Sequence, residues 1–265
     1  MRFRCAGWTI RLAALLISGA SAAEDSADLL QRIKTHIAEH LAKLPNYTCR
    51  ETVNRFMRSG GGLRHLDTLD LDVVFAGGHE LFAQGGSGKF DDQPMDKLVS
   101  SGTMSNNALG SHVDLLLSED EADFQYAGID KKDGRKSFRF NITVPLERSR
   151  FLVKHNSAQA MSGYQGSLWV DIETYDLVRA DFKVNRIPSH VGVSLIEESF
   201  HYKKLPIGNS EFYLPERSEV AATDKDGVYT LNLVKLDRCR EYAAESDVKY
   251  APPSQGTADR DRQDH

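Results

Sequence analysis

The residues best suited by type and spacing to do chemistry are His36, Glu39 and His40, an H-x-x-E-H run within a helical pattern. In inverzincin metallopeptidases this spacing sets two imidazoles on one helix face as zinc ligands, with the glutamate as general base. A catalytic zinc needs a third protein ligand, and the sequence assigns none. Both histidines also border the helix's apolar stripe, the ordinary place for boundary residues. Gly85-Gly86-Ser87-Gly88-Lys89-Phe90 carries Phe90 where a phosphate loop needs Ser or Thr, and Ala83 replaces its first glycine, so it reads as a hinge. Asp224-Lys225-Asp226-Gly227 starts like a calcium loop, but position twelve is Lys235 rather than Glu, so it reads as a turn. Glu119, Asp120, Glu121 and Asp123 form an acidic run of the kind that faces solvent. No G-x-S-x-G elbow places a nucleophile. The sequons at Asn46 and Asn141 matter only in a glycosylating host. The expectation is a protein with no catalytic residues, no metal site and no cofactor.

The first 23 residues read as an export signal. Arg2, Arg4 and Arg11 flank a short apolar core, Leu12 to Ile17, and small residues from Ser18 to Ala23 supply cleavage positions. That core is too short to span a bilayer. No Cys lies at the cleavage point, so no lipobox is expected there. Losing the three arginines takes the net charge from −5 to −8. A nucleic-acid partner then has no basic footprint. Cys5 leaves with the signal, and Cys49 and Cys239 remain. An even pair in an oxidising compartment predicts one disulfide that brings the two ends of the domain together.

The elements that must position any site are mostly strands. Ser26 to Lys43 has helical spacing, with Leu30, Ile33, Ile37, Leu41 and Leu44 on one face and Pro45 as the stop. Beyond it the period changes to two. Phe138, Phe140, Ile142 and Val144 alternate with polar residues, as do Val178, Ala180, Phe182 and Val184. Such runs have one apolar face and one wet face, the pattern of antiparallel sheet. About eleven strand-like segments follow from Cys49: 49–58, 66–75, 79–84, 122–129, 135–144, 150–155, 164–172, 177–185, 193–203, 211–222 and 228–242. Asp130–Gly134, Glu173–Asp176, Pro206–Asn209 and Asp224–Gly227 supply the turns. Residues 85–121 read as a helical insert and 246–265 as a disordered tail.

This order predicts a mainly β (α+β) domain over 24–245. It is a strongly curved antiparallel half-barrel covered by the N-terminal helix and the short inserted helices. Its inward face would include Leu71, Val73, Phe138, Phe140, Val170, Ala180 and Phe182, as an apolar ligand cavity or a plainly packed core. Met95 and Met104 would suit an adaptable lid.

Gly166-Ser167-Leu168-Trp169-Val170-Asp171-Ile172-Glu173-Thr174-Tyr175-Asp176-Leu177-Val178-Arg179 resembles the strand–turn–strand of the lipoprotein-carrier (LolA/LolB/RseB-like) superfamily. There an apolar strand ends in Asp, a Thr-containing turn follows, and the return strand begins apolar. Pro45-Asn46-Tyr47-Thr48-Cys49, Gly163 to Asp171, Phe212 to Glu219 and Cys239-Arg240 also resemble a group of uncharacterised exported acidobacterial proteins. Together the resemblances cover about 30–245. They imply a periplasmic or secreted, non-enzymatic half-barrel that binds a lipid, an acyl chain or a lipidated partner. An RseB-like module contacting another envelope protein is the alternative, and an envelope hydrolase is a weaker third. A monomer is expected in each case.

Overall fold

The computed structural model describes residues 18–76, 79–87, 113, 116–117 and 122–242, with side chains from Ser26. Helix α1 (Ser18–Leu41) opens the fold, and strands β1 (Tyr47–Arg58), β2 (Arg64–Ala76) and β3 (His79–Gln84) follow. Then come β4 (Asp123–Lys132), β5 (Arg135–Val144), β6 (Leu152–His155), β7 (Ala158–Met161), β8 (Tyr164–Asp171) and β9 (Leu177–Val184). A 3-10 turn at Ser189–Val191 leads into β10 (Val193–Ile207), β11 (Ser210–Asp224) and β12 (Tyr229–Glu241).

Ten strands form one sheet in the order β3-β2-β1-β12-β11-β10-β9-β8-β5-β4, and every pairing is antiparallel. β3 and β4 stand at opposite edges, so the sheet is curved but not closed. The expected meander holds with two differences. Among the described residues the segment at 150–155 is not in the large sheet: β6 pairs with β7, a short strand absent from the expectation, as a separate hairpin. Four-residue strands are too short to show a period of two, which explains the omission. Helix α1 also begins at Ser18, upstream of the predicted Ser26, because its start carries no apolar stripe for periodicity to detect.

The turn after β8 shows why Asp closes that strand. Asp171 Oδ1 accepts the backbone N–H of Glu173 at 2.8 Å and of Thr174 at 3.0 Å. Tyr175 sits at φ 61°, in the left-handed region that completes the reversal. Arg135 Nε lies 2.9 Å from Asp171 Oδ2. Burial pushes the Asp171 carboxyl up, but the two amides and the guanidinium outweigh it and hold it below the usual carboxylate range.

Two apolar clusters occupy the face that α1 covers. In the first, Leu29, Ile33 and Ile37 of α1, with Val113, Leu116 and Leu117, pack on Phe140, Ile142, Leu168, Val170, Ala180, Phe182, Ile196 and Phe200. The second joins Tyr47, Cys49, Val53, Leu71, Val73, Phe82, Ile207, Phe212, Leu214, Val234 and Leu236. The Cys49–Cys239 disulfide ties β1 to β12 beside the second cluster.

Candidate functional site

Strand β1 is the starting point, because its inward positions break the apolar rule. Cys49, Glu51, Val53 and Arg55 alternate on one face and all are buried. Strand register carries the anomaly across the sheet. Arg55 stands between Asp67 of β2 and Asn232 of β12, Asn232 faces Val220 of β11, and Val220 faces Glu198 of β10. Ser218 lies in the next row, with Val53 and Val234, and Glu51 one row further on, between Leu71 and Leu236. The result is a buried polar row with Ile196 and Ala222 of the first apolar cluster on one side; on the other lie Val53, Val234, Leu71 and Leu236 of the second cluster, with Phe200 of the first in the same row as Val53 and Val234.

Arg55 is only 2% exposed, and its Nε donates to Asp67 Oδ1 at 2.6 Å while Nη2 binds Oδ2. This bidentate pair compensates the buried guanidinium, and the Arg55 hydrogen bonds hold Asp67 below its ordinary range. Glu51, 1% exposed, has no such partner: burial pushes its carboxyl up to about 8. Glu51 Oε2 and Ser218 Oγ are buried without a hydrogen-bond partner among the described residues. Buried polar groups of this kind are costly and are normally satisfied, so a sheet face that keeps two, and buries an arginine as well, is a candidate binding site.

The opposite face, free of helix among the described residues, carries an open cavity of about 750 Å³. Side chains of β5, β8, β9, β10, β11 and β12 line it, among them Arg139, Gln165, Trp169, Asp181, Glu219 and Leu231. Its charged end is tightly wired. Asp181 Oδ1 accepts Arg179 Nε at 2.6 Å and Ser199 Oγ at 2.8 Å, and Lys132 Nζ donates to Oδ2 at 3.2 Å. Burial pushes the Asp181 carboxyl up, but these donors prevail and lower it. Gly166 lets β8 and β9 approach, since a Cβ there would run onto the Asp181 carbonyl oxygen.

The structure distributes the residues singled out from the sequence as follows. Phe140, Val170, Ala180 and Phe182 lie in the first cluster, with Phe138 packed against it, while Leu71 and Val73 lie in the second. All seven thus share the helix-covered face but divide between two groups. Cys49 and Cys239 are bonded. Met95, Met104 and most of the 85–121 insert lie outside the described residues, as do the cleavage segment's side chains and the tail. His36 and His40 dock α1 on the sheet: His36 Nε2 is 2.9 Å from Asp176 Oδ1, and His40 Nε2 accepts the Tyr213 N–H at 3.1 Å. Burial lowers the His40 pKa, consistent with a neutral ring acting as acceptor. Glu39 is exposed. Among the described residues no group of three or more His, Cys, Asp or Glu is placed to hold a metal ion. Sequence reasoning missed Glu51, Arg55, Glu198, Ser218 and Asn232. The available signal was the charged residue at every second inward position of β1, after Cys49.

No family profile matches the chain, and no curated protein does. Among solved structures the chain is similar to a DUF1329 family protein from Desulfovibrio piger, at 16% identity and TM-score 0.43, over 86% of this chain and 94% of that one. It is also similar to an outer membrane lipoprotein-sorting protein domain from Vibrio parahaemolyticus, at 11% identity and TM-score 0.44, over 82% and 95%. A LolA superfamily protein from Nitrosomonas europaea matches at 9% identity and TM-score 0.39, over 81% and 94%. The acidobacterial likeness is not shown by these structures.

Proposed function

We propose that this chain is a non-enzymatic binding protein of the bacterial periplasm that holds a lipid, an acyl chain or a lipidated partner on its helix-covered face. The observation that carries the reading is the buried polar row set between two apolar clusters. An amphiphile matches that pattern: its chain meets Val53, Leu71, Val234 and Phe200, and its polar head meets Arg55, Glu51 and Ser218. A head group would supply partners for the Glu51 and Ser218 oxygens that have none among the described residues. The disulfide suits an oxidising compartment, and residues 1–23 act as the export signal in this reading.

Titration with a fluorescent fatty acid, cis-parinaric acid, tests the proposal. The fluorophore binds saturably to the parent protein, and Ser218→Leu, which fills the space next to the polar row, weakens it at least about tenfold. Saturable binding untouched by Ser218→Leu moves the ligand elsewhere. A stable protein partner captured with no bound lipid replaces this reading with that of an interaction module.

A further inference from the structure

The open cavity on the face opposite α1 meets the buried polar row at Glu198 alone among the described residues. Its charged side chains are almost all matched. Asp181 is held by Arg179, Lys132 and Ser199. Lys183 Nζ pairs with Glu197 Oε1 at 3.2 Å. Glu198 lines it from β10, but its side chain is one of the buried groups of the polar row. Two charges remain without an ion pair among the described residues: Arg139 on β5 and Glu219 on β11.

Arg139 is set up as a counter-ion. Its guanidinium lies 5.3 Å from the Trp169 ring centroid, and Lys132 approaches the same ring at 4.0 Å. Trp169 Nε1 is fixed by Asp130 Oδ2 at 3.3 Å. Arg139 Nη2 reaches Ser167 Oγ at 3.4 Å, while Nε is buried with no partner. A fixed guanidinium with an unused N–H matches a carboxylate. β5 and β11 are four strand spacings apart in the sheet order, roughly 19 Å at ~4.8 Å per spacing. Between them the mutually bonded Asp181, Ser199 and Lys183–Glu197 groups leave the Gln165 amide and, beside Arg139 on β5, the Asn141 and Thr143 side chains as neutral polar lining. Such side chains hydrogen-bond peptide groups in both directions. Five extended residues span roughly 17 Å.

We propose that this cavity binds a short extended peptide, with its terminal carboxylate on Arg139 and its amino end near Glu219. The site is independent of the lipid reading and stands or falls without it.

The test uses the full chain carrying Trp8→Phe, which leaves Trp169 as the single indole of the two in the sequence. Penta-alanine with free ends is titrated against Trp169 emission. The expected result is saturable binding that falls at least about tenfold when the peptide's C-terminus is amidated, the usual scale for losing a charge-assisted hydrogen bond. Acetylating the amino end weakens it by a smaller factor. Arg139→Gln weakens the free peptide equally and no longer distinguishes it from the amide. The amidated arm needs no variant, so a folding defect in Arg139→Gln does not blunt the test. No saturable binding, or equal binding of acid and amide, overturns the proposal.

Discussion

Glu51 is the residue whose chemistry is most perturbed. Burial raises its carboxyl from 4.5 to about 8, so the folded protein holds a proton there that the unfolded chain has lost. Its contribution to stability is complete below about pH 4.5 and is lost as pH rises through about 8. Glu51→Gln keeps the shape and removes the titration. We expect unfolding experiments across pH 5 to 9 to show the parent losing up to a few kcal/mol relative to this variant. Parallel pH profiles for the two proteins would place Glu51 in a wetter setting. This residue was visible in the sequence as a carboxylate at an inward position of an alternating strand. What the sequence withheld was the company it keeps, because Leu71 of β2 and Leu236 of β12 flank it only through long-range register.

At the scale of elements, the long strands and the helix were legible because each has a clean period: 3–4 in α1, two in β5 and β9. The division of the inward face into two clusters was not, since alternation assigns a residue to a face but not to a neighbour. The H-x-x-E-H run shows the same limit. Its spacing is that of a metal pair, yet Asp176 and the Tyr213 amide, 140 and 173 residues away, take the two rings. Close approach of β8 and β9 is also a tertiary fact. Gly166→Ala would press a Cβ onto the Asp181 carbonyl oxygen and within 3.0 Å of Phe182 Cδ1. Overpacking of this kind costs roughly 1–3 kcal/mol. We expect a lowered thermal midpoint and a disturbed Asp181 network; an unchanged midpoint would show that the two strands can part without cost.

At the scale of the molecule, the Cys49–Cys239 bridge closes a loop of 190 residues and joins β1 to β12. The count and compartment of the cysteines made the pairing readable from the sequence. Chain entropy gives roughly 5 kcal/mol for such a loop, an upper figure because denatured chains retain structure. Cys49→Ala with Cys239→Ala should therefore lower the denaturant midpoint by a large fraction of the protein's total stability. A midpoint shift near zero would mean that β1–β12 pairing alone keeps the ends together. The open ten-stranded sheet has two faces, and each of the two proposed sites uses one of them. The central claim concerns the enclosed face. Native mass spectrometry of the purified protein tests it most directly: the account predicts a bound amphiphile near one per chain, absent from Ser218→Leu. A bare chain mass that stays bare on incubation with mixed bacterial lipids would contradict it.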